Sequence, residues 1–165
     1  MRTLQVALSG DREVILTRSF NAPRERVWAC HTRPNLVRRW LLGPPGWTMP
    51  ICEIDLRVGG RYRYVWRDAN GVDMGMGGVF REVVFPERLV ASERFDTDWT
   101  GGETLVTQRF TESGGVTTLT MTVSYSSTTA REGALKTGMT TGMEMSYSQL
   151  DSALADPGLL EVTPR

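Results

Sequence analysis

Lysine, histidine and cysteine are nearly missing from this chain. Among 165 residues, Lys136 is the single lysine, His31 the single histidine, and Cys30 and Cys52 the only cysteines. One histidine excludes any site that needs two imidazoles, such as the HExxH zinc motif, and without a close acidic cluster no metal centre is expected. Cys30 and Cys52 lack CxxC spacing, so they read as buried apolar fillers. An excess of one charge is also missing: nineteen basic side chains face nineteen acidic ones, for a formal net charge of zero. No global field then draws in nucleic acid or an acidic membrane, and the arginines are scattered without forming a cluster. No apolar run approaches the roughly 20 residues of a spanning helix, and the first residues lack the apolar core of a secretory signal. A cytoplasmic protein without membrane insertion is expected. No serine sits in a GxSxG elbow. Gly75-Met76-Gly77-Gly78 leads into a strand pattern and not into a helix N-terminus that would hold a phosphate. No cofactor is expected.

What is present, 40% hydrophobic and 23% charged residues, is the profile of one ordinary globular domain over residues 1–165. Its core is expected over 13–155, with 1–12 and 156–165 frayed. Residues 13–20, rich in β-branched and apolar types, predict a strand. Asn21 is a candidate cap and Pro23 a candidate first-turn residue of a short helix to Cys30. A second short helix follows Pro34 and ends at Gly43-Pro44-Pro45-Gly46. From Trp47 to Tyr125 the apolar period is two, with turns at Gly59-Gly60, Asn70-Gly71, Pro86-Glu87 and Gly114-Gly115. Strands are predicted at about 50–57, 60–67, 74–85, 88–95, 103–111 and 116–125, seven with the first. A long helix is predicted from about Ala130 to Leu154. Along it runs a row of small residues, Ala134, Gly138, Gly142 and Ser146. Glycine inside a helix costs about 1 kcal/mol against alanine, so this row calls for a packing or functional reason.

Strand, two short helices, a six-strand meander and a long C-terminal helix make the α+β helix-grip arrangement, a curved antiparallel sheet wrapped around one helix. The sequence resembles bacterial members of the family named after the activator of the heat-shock-protein-90 ATPase, within the START-like superfamily of birch-pollen-allergen-like proteins and polyketide cyclases. Phe20 to Trp28, Trp40 through Gly43-Pro44, Asp55 to Gly60, Gly78 to Val83, Pro86 to Leu89, Thr118 to Thr120 and Gly138-Met139 through Leu150 carry it. The resemblance implies a cavity between sheet and helix that takes apolar or aromatic molecules. The eukaryotic activator resembles this chain only in its C-terminal half, and the length leaves no room for its chaperone-binding N-terminal domain; a protein-interaction module with a chaperone partner is the alternative that the family name implies.

Strand phase puts Tyr62, Tyr64 and Trp66 on the helix side, and Arg61, Arg63 and Arg67 on the other. Met74, Met76, Gly78 and Phe80, then Leu89, Ala91, Glu93 and Phe95, follow the same rule. Tyrosine hydroxyls and adaptable methionines in an apolar surface are what small-molecule sites are made of. The candidate ligand-binding residues are Trp40, Trp47, Tyr62, Tyr64, Trp66, Met76, Phe80, Glu93, Phe95, Met139, Gly142, Met143 and Tyr147. Trp40 and Trp47 bracket a candidate lid at Gly43-Pro44-Pro45-Gly46. Glu93 is the one carboxylate in phase with the inward residues. It is either dehydrated and a candidate acid or base for a cyclase- or lyase-type reaction, or held in an ion pair with Arg57, Arg63 or Arg109, or out of phase and exposed. Asp55 and Arg57 share a face and either pair with each other or frame the cavity mouth.

Overall fold

The computed structural model describes residues 3–159. Eight strands form one antiparallel sheet in the order β1-β2-β8-β7-β6-β5-β4-β3. In chain order the elements are β1 (Gln5–Ser9), β2 (Glu13–Phe20), α1 (Arg24–Thr32), α2 (Pro34–Val37), β3 (Thr48–Ile54), β4 (Arg61–Arg67), β5 (Asp73–Val84), β6 (Arg88–Phe95), β7 (Thr104–Ser113), β8 (Val116–Ser124), α3 (Thr128–Leu135) and α4 (Met139–Leu154). Among the described residues no helix is long and apolar enough to cross a membrane.

The sheet curves where its sequence makes it curve. A register shift between Phe80 and Glu82 inserts one extra residue of β5 against β6, and such a bulge bends its strand and raises the local twist. Near it the backbones approach closely: a β-carbon on Gly78 would overlap the Ser92 carbonyl oxygen of the neighbouring strand. The helix side of β4 carries Tyr62, Tyr64 and Trp66. On the far side, Arg63 makes a two-pronged ion pair with Asp96 at 2.7 and 2.6 Å, and Arg67 pairs with Asp73.

The structure departs from the sequence reading at both ends and in the helix. Residues 5–9, expected to fray, form an eighth, edge strand in register with β2 from Gln5↔Thr17 to Ser9↔Glu13. Its Val6 and Leu8 are exposed, so main-chain pairing holds it and no buried face announced it. At the other end Leu159 is fully buried; residues 160–165, also expected to fray, lie outside the described residues, as do 1 and 2. Asn21 caps nothing. Pro23 itself is the α1 cap residue, and the free Arg24 amide is taken at 2.9 Å by the Glu112 carboxylate of β7.

The predicted single helix is two. Gly138 adopts φ +81°, a left-handed conformation that breaks the helix and restarts it as α4. The row of small residues is therefore interrupted: Ala134 is buried on α3 against the Val14 and Val123 side of the sheet, Gly138 is the corner, and Gly142 and Ser146 lie on α4.

Two buried arginines pin the ends of this arch. Arg131 of α3 donates to the carbonyl oxygens of Gly10 and Glu13 at 3.0 and 3.2 Å. Arg18 alternates inward with Val14, Leu16 and Phe20 along β2. It forks onto both oxygens of Asp151 at 2.9 Å and reaches Glu144 at 3.3 Å, while its guanidinium lies 5.0 Å over the Phe20 ring. Every buried residue of α4 (Tyr147, Leu150, Ala153 and Leu154) comes from its second half. The helix is seated at one end and stands off the sheet at the other.

Arg18→Ala strands two carboxylates beside an emptied site and is expected to cost about 3 kcal/mol, measured by urea denaturation; a loss below about 1 kcal/mol would show that the fork is not what seats α4.

Candidate functional site

The stand-off encloses a cavity of about 670 Å³ between α4 and the sheet, well inside the roughly 300 to 1,000 Å³ range of small-molecule sites. All thirteen candidate residues lie on its wall: Trp40, Trp47, Tyr62, Tyr64, Trp66, Met76, Phe80, Glu93, Phe95, Met139, Gly142, Met143 and Tyr147. Exposed Pro44, Met74 and Met145 belong to the same wall and mark its mouth. A β-carbon on Gly142 would meet nothing within 4 Å, so here the missing side chain leaves open space.

The floor is a braced aromatic surface. Tyr62 sits 5.3 Å from Tyr64 and 5.4 Å from Phe80 between ring centroids. Tyr147 stacks on Trp40 at 5.8 Å and meets Phe20 edge-on at 5.4 Å. The hydroxyl of Tyr62 donates to the Ser92 carbonyl at 2.8 Å, and the indole N–H of Trp40 donates to the Cys30 carbonyl at 2.8 Å. Tyr64 and Tyr147 make no hydrogen bond among the described residues, so their hydroxyls remain the unspent polar handles of the wall. Dehydration pushes both phenols above their ordinary range and keeps them neutral.

The candidate lid is tethered at its start. Trp66 donates its indole N–H to the Leu41 carbonyl at 2.7 Å, fastening the 41–47 segment to β4. The Trp47 ring lies against Gly43, where a β-carbon would approach it to 3.1 Å. Asp55 and Arg57 pair with each other at 2.9 Å, both exposed, and stay off the cavity wall.

Glu93 stands on the wall without the ion pair that was one of its expected states. Arg57 is taken by Asp55 and Arg63 by Asp96, and neither Arg109 nor any other described cation reaches it. Protein surrounds the carboxyl, and the exposure it keeps faces the cavity. Dehydration pushes its pKa up to about 7, against a hydrogen bond from the Thr104 hydroxyl that works the other way. The same hydroxyl lies 3.4 Å from the Glu93 main-chain oxygen, to which it donates.

Several wall residues escaped the sequence reading. Gln108 of β7 pairs with Met121 of β8 and faces the cavity; strand phase alone would have found it. Trp99, 4.6 Å from the Phe95 ring, sits in a loop that has no phase to read. His31 lies on α1, whose residues Val27 to Cys30 and Thr32 are all buried, so no polar face singles it out. Its Nδ1 hydrogen-bonds the Val27 carbonyl at 2.7 Å, and its Nε2 is buried with no protein partner. Burial lowers its pKa to about 4, so the ring is neutral at physiological pH, with Nδ1 donating and Nε2 an acceptor.

Because Glu93 ionises more readily in the unfolded chain, its contribution to stability is present below its ordinary carboxyl range and is lost as pH rises to about 7. Glu93→Gln is expected to match the parent near pH 4. It should exceed the parent by about 1 to 3 kcal/mol at pH 8. Buried His31 shifts both proteins the opposite way between about pH 4 and its ordinary range, so the difference between parent and variant in urea unfolding is the reading. A difference that stays constant across this window would contradict the dehydrated carboxyl.

The sequence model of one family, described as Activator of Hsp90 ATPase homolog 1-like protein, matches residues 21–155. A solved structure of a protein from Rhodobacter sphaeroides is similar at a TM-score of 0.88 and 36% identity, covering 93% of this chain and 98% of that one. Protein Ms6760 from Mycobacterium smegmatis is similar at 0.81 and 25%, over 93% and 97% of the two chains. A protein from Arthrobacter aurescens shares the fold at 0.80 and 24%, over 93% and 92%. None of the three is named for a ligand or an activity. No protein of curated function matches the chain. The family match begins just before α1 and runs through α4, across both the curved sheet and the arch above it: this chain belongs to the Activator of Hsp90 ATPase homolog 1-like family.

Proposed function

We propose that this protein binds a small hydrophobic or aromatic molecule in the cavity between α4 and the sheet. The observation that carries this reading is the cavity of about 670 Å³ under the unseated start of α4. Its wall is aromatic side chains and methionines with a few separated polar groups, the composition expected of a site that gains affinity from apolar burial and orientation from polar contacts. Methionines on the α4 side, Met139 and Met143, suit differently shaped guests because their side chains re-pack easily. The thirteen wall residues named from the sequence are the proposed contacts.

A second reading is favoured by Glu93 alone. A carboxyl that titrates near neutrality at the edge of an apolar cavity can donate and take a proton in one cycle. The same cavity would then be the site of a cyclase- or lyase-type proton transfer. A chaperone partner finds support only in the family's name.

Gly142→Leu tests the first reading without threatening the fold, since the new side chain enters open space and leucine is the better helix former. Nile red, a neutral apolar dye, is expected to bind the parent with a fluorescence increase and to bind Gly142→Leu at least about tenfold more weakly, with the variant's melting temperature equal or higher. Equal dye affinity in both proteins, or none in the parent, would overturn the reading.

A further inference from the structure

The cavity wall has an unbalanced charge inventory. Among the described residues it holds no arginine and no lysine, although the chain carries nineteen basic residues, and Glu93 is the one acidic side chain among them on the wall. Of the basic groups on or beneath the arch, Arg18 is taken by Asp151 and Glu144 and Arg131 by main-chain oxygens, while Lys136, the exposed C-cap residue of α3, lies off the wall. An acidic guest such as a fatty acid would therefore enter a site with no countercharge and one like charge.

We propose, resting on the ligand-binding reading above, that the guest is a hydrophobic amine whose cationic head pairs with Glu93 while its apolar body lies among the aromatic rings. The geometry offers such a head what it needs. Aromatic faces attract cations through the ring quadrupole, most strongly where water is excluded, and Tyr62, Tyr64 and Tyr125 share the wall with Glu93, whose charge acts on their phenols. The amine in turn supplies the partner that the carboxylate lacks. A buried charge is tolerated when it is paired and hydrogen-bonded, so ionised Glu93 and a cationic guest stabilise each other in a site where each alone is disfavoured. Across from it, α1 contributes neutral His31, whose free Nε2 can only accept, and α4 contributes the uncharged Met139 and Met143. Thr104 of β7 is the remaining hydrogen-bonding neighbour. Glu103, the next carboxylate along, acts on Tyr62 from off the wall and is paired with Arg81, so among the described residues Glu93 is the one acid on the wall itself.

Glu93 titrates near neutrality, so the amine's apparent affinity rises with pH through that range as the carboxylate becomes available. The experiment is displacement of Nile red by three probes of one skeleton: 2-(naphthalen-2-yl)ethylamine, 2-(naphthalen-2-yl)ethanol and naphthalen-2-ylacetic acid. Near pH 8 the amine is expected to bind about tenfold more tightly than the alcohol, with the acid weakest. Near pH 5 that preference should shrink several-fold. Glu93→Gln should abolish the preference of the amine over the alcohol. The trimethylammonium analogue, charged at every pH, should show the same pH dependence in the parent and none in Glu93→Gln. Nile red bound with the alcohol or acid equal to the amine, or an amine preference that survives Glu93→Gln, overturns the proposal and leaves the cavity reading standing; failure of Nile red itself to bind overturns both.

Discussion

Two buried arginines set the height of the helical arch, and the height of the arch decides whether there is a cavity. Arg131 ties α3 to the β1–β2 turn, and Arg18 forks onto Asp151 in the second half of α4. Between these pins Gly138 turns the chain with a backbone conformation that side chains disfavour. The start of α4 is then suspended, with Met139, Gly142 and Met143 over the sheet and none of them buried, before Glu144 is held by Arg18 and the Leu4 amide. A helix seated along its whole length would have filled the same space with its own side chains, as close-packed interiors ordinarily do. Charge, and not apolar contact alone, holds the cavity open.

The sheet below completes the enclosure. The β5 bulge curves it toward the arch, and the period-two pattern of β4 turns three aromatic side chains into the concavity while exposed arginines pair with aspartates on the other side. Tyr62 and Trp40 spend their polar atoms on neighbouring carbonyls, which fixes the rings as walls. Glu93, Tyr64, Tyr147 and His31 keep polar atoms uncommitted. The site thus combines a braced apolar surface, which supplies affinity, with a small set of separated polar groups, which supply selectivity.

Most of this was legible in the sequence because strands report their faces directly. Alternation in Tyr62-Tyr64-Trp66 and in Glu93-Phe95 sorted wall from exterior, and Asn70-Gly71 fixed the hairpin between β4 and β5. What escaped was information that is not periodic. β1 is held by main-chain pairing and buries no apolar face. The break at Gly138 competes with a methionine and leucine stripe that looks continuous. Arg18 reads as one more arginine among many until tertiary structure brings Asp151 and Glu144 to it from more than a hundred residues away. His31 and Trp99 lie where no strand phase applies, on a helix buried nearly all round and in a loop. The fate of Glu93 depended on whether a cation reached it, and that is a property of the three-dimensional charge map alone.

Xenon offers the most direct test of the suspended helix, because it enters dry apolar space and needs no knowledge of the natural guest. Crystals of the protein pressurised with xenon should show an anomalous peak between Gly142 and the rings of Tyr64 and Phe95, at little change in the helix position. A structure in which α4 lies flat on the sheet, with Met139 and Met143 packed against those rings and no xenon peak between them, would contradict the account.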